Sequence, residues 1–476
     1  MQGPSPGGNE GLMPDKTRLE EARQAAARHG QTHLFRFYDG LDPVGRDALV
    51  DQILSVDFDQ IARLHADLVK NQGASAPPER IEPLRTKAWE AFSLGERAAL
   101  ANQGMRALRE GKVAAFLVAG GQGTRLGHDG PKGAFDIGLP SRKSLFQLQA
   151  ERILRLSRQA GKTIPWYIMT SGENHAETTG FFKDRRFFGL SERDVFFFKQ
   201  GEMPVVDAEG KILLAAKGRL SMGPNGNGGC FPALAKSGAL ADMKRRGIEH
   251  VFFYSVDNAL VRVCDPHFVG FAMHEGMPAA SKAVVKARPE EKVGVLCLRD
   301  GKPSVIEYSE MTEEMIHSKT ADGRYLYDSA NVAMHLFTRA FLEAYAGASL
   351  PFHPAHKKIA YVAPSGETIT PAAPNAYKFE LFMFDLFPMA GSMAGLLVRR
   401  EEEFAPVKNK DGVDSPASAR ALLLELHHKW AVAAGVGEEE LKGKLVEISP
   451  LASYGGEGIN TALIRSQLGN PIVHVS

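Results

Sequence analysis

The chain has 476 residues, 44% of them hydrophobic and 24% charged, with 57 Lys plus Arg against 56 Asp plus Glu. That length exceeds one compact core, so two or three domains are expected, and the balanced charge provides no global field for nucleic acid or an anionic membrane, neither of which is expected as a partner. The three cysteines, Cys230, Cys264 and Cys297, are widely spaced without a Cys-x-x-Cys pair, which argues against a disulfide framework or zinc cluster and fits a cytoplasmic protein.

Residues 1–15 are Gly/Pro-rich and polar, lack a signal-peptide pattern and read as a disordered tail. Residues 16–110 read as a helical N-terminal domain. Leu19, Ala22 and Ala26 recur at helical spacing, Asp42-Pro43 and Asp57 look like helix starts, and a last helix spans 94–110 before Gly111. A linker is expected at 73–78. From 111 to 396 the period changes: strand-like runs at 113–118, 164–169, 194–198 and 250–256 alternate with helical patterns at 144–159 and 233–246. Such alternation implies βαβ units, hence an α/β domain with a largely parallel sheet, which binds ligands beyond the carboxyl ends of its strands. Residues 283–308 and 325–337 read as further strands, a partly antiparallel extension. Residues 397–476 read as a small α+β C-terminal domain, with a helix at 415–434 and β-like pieces at 446–448 and 472–475. The best candidate for a membrane span, 251–263, is broken by Asp257, Asn258 and Arg262 and falls short of the ~20 residues required.

The most informative stretch is Phe116-Leu-Val-Ala-Gly-Gly-Gln-Gly-Thr-Arg-Leu-Gly127, followed by Pro131-Lys-Gly133. A buried strand breaks into glycines whose N–H groups can face phosphate oxygens, and Arg125 and Lys132 add cationic charge. The spacing is neither a Walker loop nor the dinucleotide pattern. Gly223-Pro-Asn-Gly-Asn-Gly-Gly229 is a second glycine-rich turn. Asp257 follows a buried strand, a natural site for Mg²⁺, which takes one or two carboxylates plus waters and substrate phosphates. Phe382 and Phe384 are two apart and on a strand would wall one side of an apolar pocket. Singly, Gly294, Glu307, Asn331, the two phenylalanines and Lys408 read as ordinary structural or surface residues.

In order and wording these segments resemble the UDP-N-acetylhexosamine (UDP-N-acetylglucosamine) pyrophosphorylases, UTP:sugar-1-phosphate uridylyltransferases of eukaryotic type. The resemblance runs from about residue 40 to Glu447-Ile-Ser-Pro-Leu-Ala-Ser-Tyr-Gly-Gly-Glu-Gly458. Its most specific parts are Ala119-Gly-Gly-Gln-Gly-Thr-Arg-Leu-Gly127, Phe135-Asp-Ile-Gly-Leu-Pro-Ser-Arg-Lys143 and Phe146-Gln-Leu-Gln-Ala-Glu-Arg152. It implies a Rossmann-like nucleotidyltransferase core with a mixed, mainly parallel sheet.

The resemblance also implies roles. Val118, Gly120 and Gly121 would contact base and ribose, Gln200 would read the uracil edge, and Gly226 and Asn227 would complete the nucleotide site. Arg125, Lys132 and Lys408 would serve the phosphates as catalytic cations, and Asp257 would hold Mg²⁺. Gly294, Glu307, Asn331, Phe382 and Phe384 would hold the N-acetylhexosamine. The expected partners are UTP, N-acetylhexosamine 1-phosphate, UDP-sugar and pyrophosphate, on a monomer or homodimer. The chain departs from the family where Asn-Ala-Gly-Asn becomes Asp328-Ser-Ala-Asn331, which sets Ala330 beside the sugar contact, where Pro-Asp-Gly-Asn becomes Pro224-Asn-Gly-Asn227, and where the Leu-Tyr that follows becomes Cys230-Phe231. A UDP-glucose or broad-specificity UDP-sugar enzyme is the alternative within the same chemistry, and a non-catalytic UDP-sugar sensor the alternative outside it. A sugar-transferring enzyme would be expected to carry Asp-x-Asp after the strand, which Val256-Asp-Asn258 does not supply.

Overall fold

The computed structural model describes residues 16–70 and 80–476; the tail expected at 1–15 and the linker expected at 73–78 lie outside them. By contacts the described residues form two compact units. One comprises 16–70, 201–229 and 350–382, the other 80–200, 230–349 and 383–476. The grouping cuts across the linear segments 16–110, 111–396 and 397–476.

The larger unit is built on an 11-stranded sheet. Its strands are β1 (Ile81–Pro83), β2 (Thr86–Ala88), β3 (Val113–Val118), β4 (Trp166–Thr170), β5 (Val195–Lys199), β6 (His250–Ser255), β7 (Ala279–Val285), β8 (Val295–Arg299), β9 (Lys302–Ile306), β10 (Ser329–Thr338) and β11 (Met393–Leu397). Along the order β2-β11-β7-β10-β6-β3-β4-β5 every neighbour is parallel except β10, which runs antiparallel to both β7 and β6. The hairpin of β8 and β9 extends the sheet, with β1 on β8 and Val295 of β8 opposite Ala330 of β10. The sheet is therefore mixed and mainly parallel, an α/β architecture. Its central strands are continuous apolar runs, as in Val113-Ala-Ala-Phe-Leu117, because helices cover both faces.

Three local outcomes differ from the sequence reading. Residues 16–110 are not helical throughout, since β1 and β2 fall within them. The helix expected at 233–246 is two, Cys230–Lys236 and Ala239–Arg245, parted where Gly238 takes φ +81°. The strand expected to carry Phe382 and Phe384 ends earlier. Residues Ala376–Leu381 pair antiparallel with Phe352–Lys357, and Leu381 faces the first residue of that partner, which Pro351 precedes; Met383–Ala390 then turns into a 3₁₀ helix. With no ladder partner beyond Leu381, the two phenylalanines do not share a strand face.

The C-terminal part of this unit has helix Pro416–Ala433 and a parallel strand pair, Leu445–Ile448 with Ile472–Val475. Glu447 accepts from the N–H and hydroxyl of Ser141 at 2.8 and 2.5 Å, and Lys143 Nζ reaches Glu151 and Ser449 at 2.6 and 2.9 Å. Three of the stretches that carry the family resemblance thus interlock. In the smaller unit, Asp42 and Asp57 cap helices Pro43–Leu54 and Phe58–His65 as their sequence signals require. Those helices pack Leu49, Ile53 and Ile61 with Val206, Ile212 and Phe379. No helix of the described residues is long and apolar enough to cross a membrane.

Helices Leu94–Arg109 and Pro266–Glu275 approach through glycines. A β-carbon on Gly104 would lie 1.9 Å from the carbonyl oxygen of Pro266, and one on Gly270 1.8 Å from that of Leu100. Backbone meets backbone, so neither side can yield cheaply. Gly270→Ala is expected to cost about 2–3 kcal/mol by overpacking; thermal unfolding checks this, and an unchanged Tm would refute the close packing.

Candidate active site

The loops after β3, β4, β5 and β6 leave the same edge of the sheet, and the loop after β3 is shaped by its neighbours. Asn174, fully buried, donates its Nδ2 to the oxygen of Ala119 at 2.9 Å and of Gly121 at 3.4 Å. Lys132 N–H returns to Gly121 O at 3.1 Å, and Gly123 N–H to Gly130 O at 2.9 Å, so the glycine stretch closes into a narrow hairpin. Gly130 sits at φ +130°, where a β-carbon would meet Glu177 Oε1 at 2.3 Å. Gly120 is needed for another reason: its α-carbon faces the amide of Gln200, which a β-carbon would approach to 3.0 Å. Gln200 follows β5, is 9% exposed, and bonds through its backbone N–H to Thr170 O at 2.8 Å. Its side-chain amide has no hydrogen-bond partner among the described residues. One donor and one acceptor therefore face the glycine loop, as an imide edge would require.

Val118 ends β3 between Ser255 of β6 and Met169 of β4. Arg125 lies in the one-turn helix Thr124–Leu126, exposed and without an acidic partner among the described residues. Lys132 starts a second such turn, Lys132–Ala134, and its Nζ stands 3.7 Å from Asp257 Oδ2 with both side chains partly exposed.

Asp257 is held by its neighbours rather than by its own carboxylate. Gln149 Nε2 donates to Val256 O at 3.1 Å. Asn258, 3% exposed, donates to Glu403 O at 2.7 Å and accepts from Ala405 N–H at 2.9 Å. Ala259 N–H bonds to Ala405 O at 3.0 Å and Val407 N–H to Asp257 O at 2.9 Å. This ladder carries Lys408 to the turn that bears Asp257. Lys408 Nζ lies 3.4 Å from Asp414 Oδ2, with 42% of its side chain exposed. The Lys132 ammonium and the backbone that carries Lys408 thus meet at Asp257 from distant parts of the sequence. Among the described residues no group of three or more His, Cys, Asp or Glu forms a metal cage. A lone, partly exposed carboxylate fits Mg²⁺ only as an ion that keeps waters and phosphate oxygens for most of its ligands.

Three of the residues expected to hold the sugar meet here: Gly294 just before β8, Glu307 just after β9 and Asn331 on β10. Asn331 N–H donates to Gly294 O at 2.8 Å, and a β-carbon on Gly294 would lie 2.8 Å from Val305 Cγ1 and 3.2 Å from Glu307 Oε1. Glycine at 294 leaves room beside the Glu307 carboxylate. Ala330, by contrast, is wholly buried opposite Val284 and Val295, while its neighbour Asn331 is partly exposed. Strand alternation sends the Ala330 methyl into the core, away from Asn331, so this departure from the family wording adds no bulk on the Asn331 face. Phe384 packs near Phe387, with ring centroids 5.9 Å apart.

Gly226, Asn227 and Phe382 belong to the smaller unit. Gly226, at φ +83°, leaves no room for a side chain, since a β-carbon would meet Leu381 O at 2.4 Å. Leu381 N–H donates to Asn225 O at 2.8 Å, and Phe382 stacks on His353 at 4.4 Å. Sequence reasoning missed Asn174, Gln149 and Asn258, the side chains that hold these loops. Of the three, Asn174 had a signal, a cap residue just before helix His175–Asp184.

A family model described as UTP–glucose-1-phosphate uridylyltransferase matches residues 58–452. The chain is 41% identical to UDP-N-acetylhexosamine pyrophosphorylase-like protein 1 of Mus musculus, covering 95% of this chain and 96% of that one. It is 41% identical to UDP-N-acetylglucosamine diphosphorylase 2 of Arabidopsis thaliana over 90% of this chain and 89% of that one. The solved uridine diphosphate N-acetylglucosamine pyrophosphorylase of Trypanosoma brucei superposes with a TM-score of 0.82 at 30% identity, covering 98% and 99% of the two chains.

Burial, and secondly the neighbouring Glu310, push the Glu307 carboxyl above its ordinary range. Ionising it therefore costs the folded state. That cost is absent below the ordinary carboxylate range, grows as pH rises from there through the raised value, and is complete above it. Glu307→Gln is expected to raise the Tm of the ligand-free protein at neutral pH and to give no gain in acid. Equal Tm values at both pH values would contradict this.

Proposed function

The chain belongs to the UTP–glucose-1-phosphate uridylyltransferase family, and from that premise we propose that it joins UTP to N-acetylhexosamine 1-phosphate, most of all N-acetylglucosamine 1-phosphate, releasing pyrophosphate. It is a UTP-dependent sugar-1-phosphate uridylyltransferase. The likeness to N-acetylglucosamine enzymes over nearly the full chain supports that sugar. The buried Ala330 supports it too, because the family's altered wording adds no bulk beside Asn331. The reading includes a cytoplasmic enzyme acting as a monomer or homodimer.

The observation that carries the reading is the convergence of Lys132 and the Lys408 segment on Asp257, beside a glycine hairpin that faces an unpaired amide. A phosphate oxygen of the sugar phosphate attacks the α-phosphorus of UTP. The bond from that phosphorus to the bridging oxygen breaks, and pyrophosphate leaves with the electron pair. The nucleophile is already an anion, so no general base is assigned. The barrier lies in bringing polyanions together and in the charge that builds on phosphoryl oxygens, which positioning and fixed cations lower. In this reading Val118, Gly120 and Gly121 line the nucleoside, and Gln200 pairs with the uracil edge. Arg125 and Lys132 hold the departing pyrophosphate, while Lys408 balances the incoming phosphate. Mg²⁺ at Asp257 would supply further positive charge to the phosphate oxygens. Gly294, Glu307, Asn331 and Phe384 receive the sugar.

Arg125→Ala is expected to lower kcat about 10²–10³-fold, as the loss of one oxyanion donor does, with Tm unchanged because the guanidinium is exposed. Pyrophosphate release measures the first, and near-normal kcat would refute the assignment. In a panel of sugar 1-phosphates, N-acetylglucosamine 1-phosphate should show the highest kcat/KM; a preference for glucose 1-phosphate would favour the UDP-glucose reading.

A further inference from the structure

Lys282 stands at the centre of β7 and is wholly buried, a rare position for an ammonium. Its Nζ lies 2.6 Å from Asp265 Oδ2 and 2.6 Å from Glu403 Oε2, both buried carboxylates. Asp265 also caps helix Pro266–Glu275 by accepting from His267 N–H at 3.1 Å. Beside them, Arg262 pairs with Glu402 at 3.0 Å. Stability alone is a poor reason for such a cluster, because buried ion pairs roughly break even against apolar side chains of the same volume.

What the cluster joins is more telling. Asp265 closes the turn that begins with Asp257. Glu403 opens the segment that ends at Lys408, and its own backbone oxygen is the acceptor for Asn258 Nδ2 at 2.7 Å. The ammonium of a core strand therefore grips both arms of the candidate phosphate site at once, and the Asn258 ladder sets their spacing. We propose that Lys282, with Asp265 and Glu403, is a positioning device that fixes Lys408 relative to Asp257 for the transfer step. None of the three is taken to touch substrate. The inference rests on the reading of Asp257 and Lys408 as phosphate-handling groups.

The test is a double-mutant cycle on the full-length enzyme, turning over UTP and N-acetylglucosamine 1-phosphate. Glu403→Gln should lower kcat about tenfold while KM for UTP stays within about twofold, the pattern of a misplaced transition-state group. Glu401→Gln, on the same short helix but exposed to solvent and away from the cluster, should leave kcat unchanged. In a Lys408→Ala background, Glu403→Gln should cost nothing more, because the group it positions is gone. Should Glu403→Gln fail to fold, Glu403→Asp, which keeps the charge but shortens the reach, takes its place with the same expectation. If the two losses multiply, or if Glu403→Gln matches wild type, the positioning role is overturned while the Lys408 reading stands. If Lys408→Ala alone keeps wild-type kcat, the Lys408 reading falls and the inference falls with it.

Discussion

The candidate site depends on a short backbone ladder between two distant stretches of chain. Val407 N–H bonds to Asp257 O, Ala259 N–H to Ala405 O, and the Asn258 amide fills the gap by bonding Glu403 O and Ala405 N–H. Asn258 is buried, so each of these groups would be costly to leave unpaired. That cost fixes the ladder, and the ladder in turn sets the backbone leading into Lys408 beside Asp257. Side-chain flexibility alone would not hold two solvated groups in register across such a sequence separation.

The side chains at the tips are held far more loosely than the backbone beneath them. Lys132 and Asp257 are 3.7 Å apart, beyond a normal hydrogen bond, and both are partly exposed. Such a contact is worth little in water. It can exchange cheaply for a phosphate oxygen or a cation, which is what a site must do if it meets its charged ligands one at a time. A rigid scaffold with weakly committed charges is thus the common principle here. The glycine hairpin repeats it: its backbone is pinned by Asn174 and Glu177 packing, while Arg125 and the Gln200 amide stay uncommitted.

Much of this was legible in the sequence, for reasons particular to each element. The strands at 113–118 and 250–255 were plain because both faces are buried, giving unbroken apolar runs ended by glycine or aspartate. Asp42 and Asp57 announced their helices through capping chemistry that acts within a single turn. β1 and β2 were missed because each is three residues long and owes its conformation to β8 and β11 rather than to its own residues. The end of the strand before Phe382 was missed for the same reason, since it is set by where the partner strand begins. Lys132, Asp257 and Lys408 could be named by family resemblance. Asn258, Gln149 and Lys282 could not be read as supports, because their roles exist only once β6, β7 and the 403–408 segment are side by side.

On the proposed reading, Asp257 serves phosphate chemistry and not the fold. Among the described residues its side chain makes only the long contact to Lys132, whereas its backbone oxygen accepts the structural hydrogen bond from Val407 N–H. Asp257→Asn keeps that backbone bond and removes the charge. The decisive measurement is therefore Tm and kcat of Asp257→Asn together, with saturating UTP, N-acetylglucosamine 1-phosphate and Mg²⁺. A phosphate-handling carboxylate at this position predicts an unchanged Tm with kcat reduced about 10²-fold or more. A variant that turns over at the wild-type rate, or that loses stability in step with activity, would contradict it.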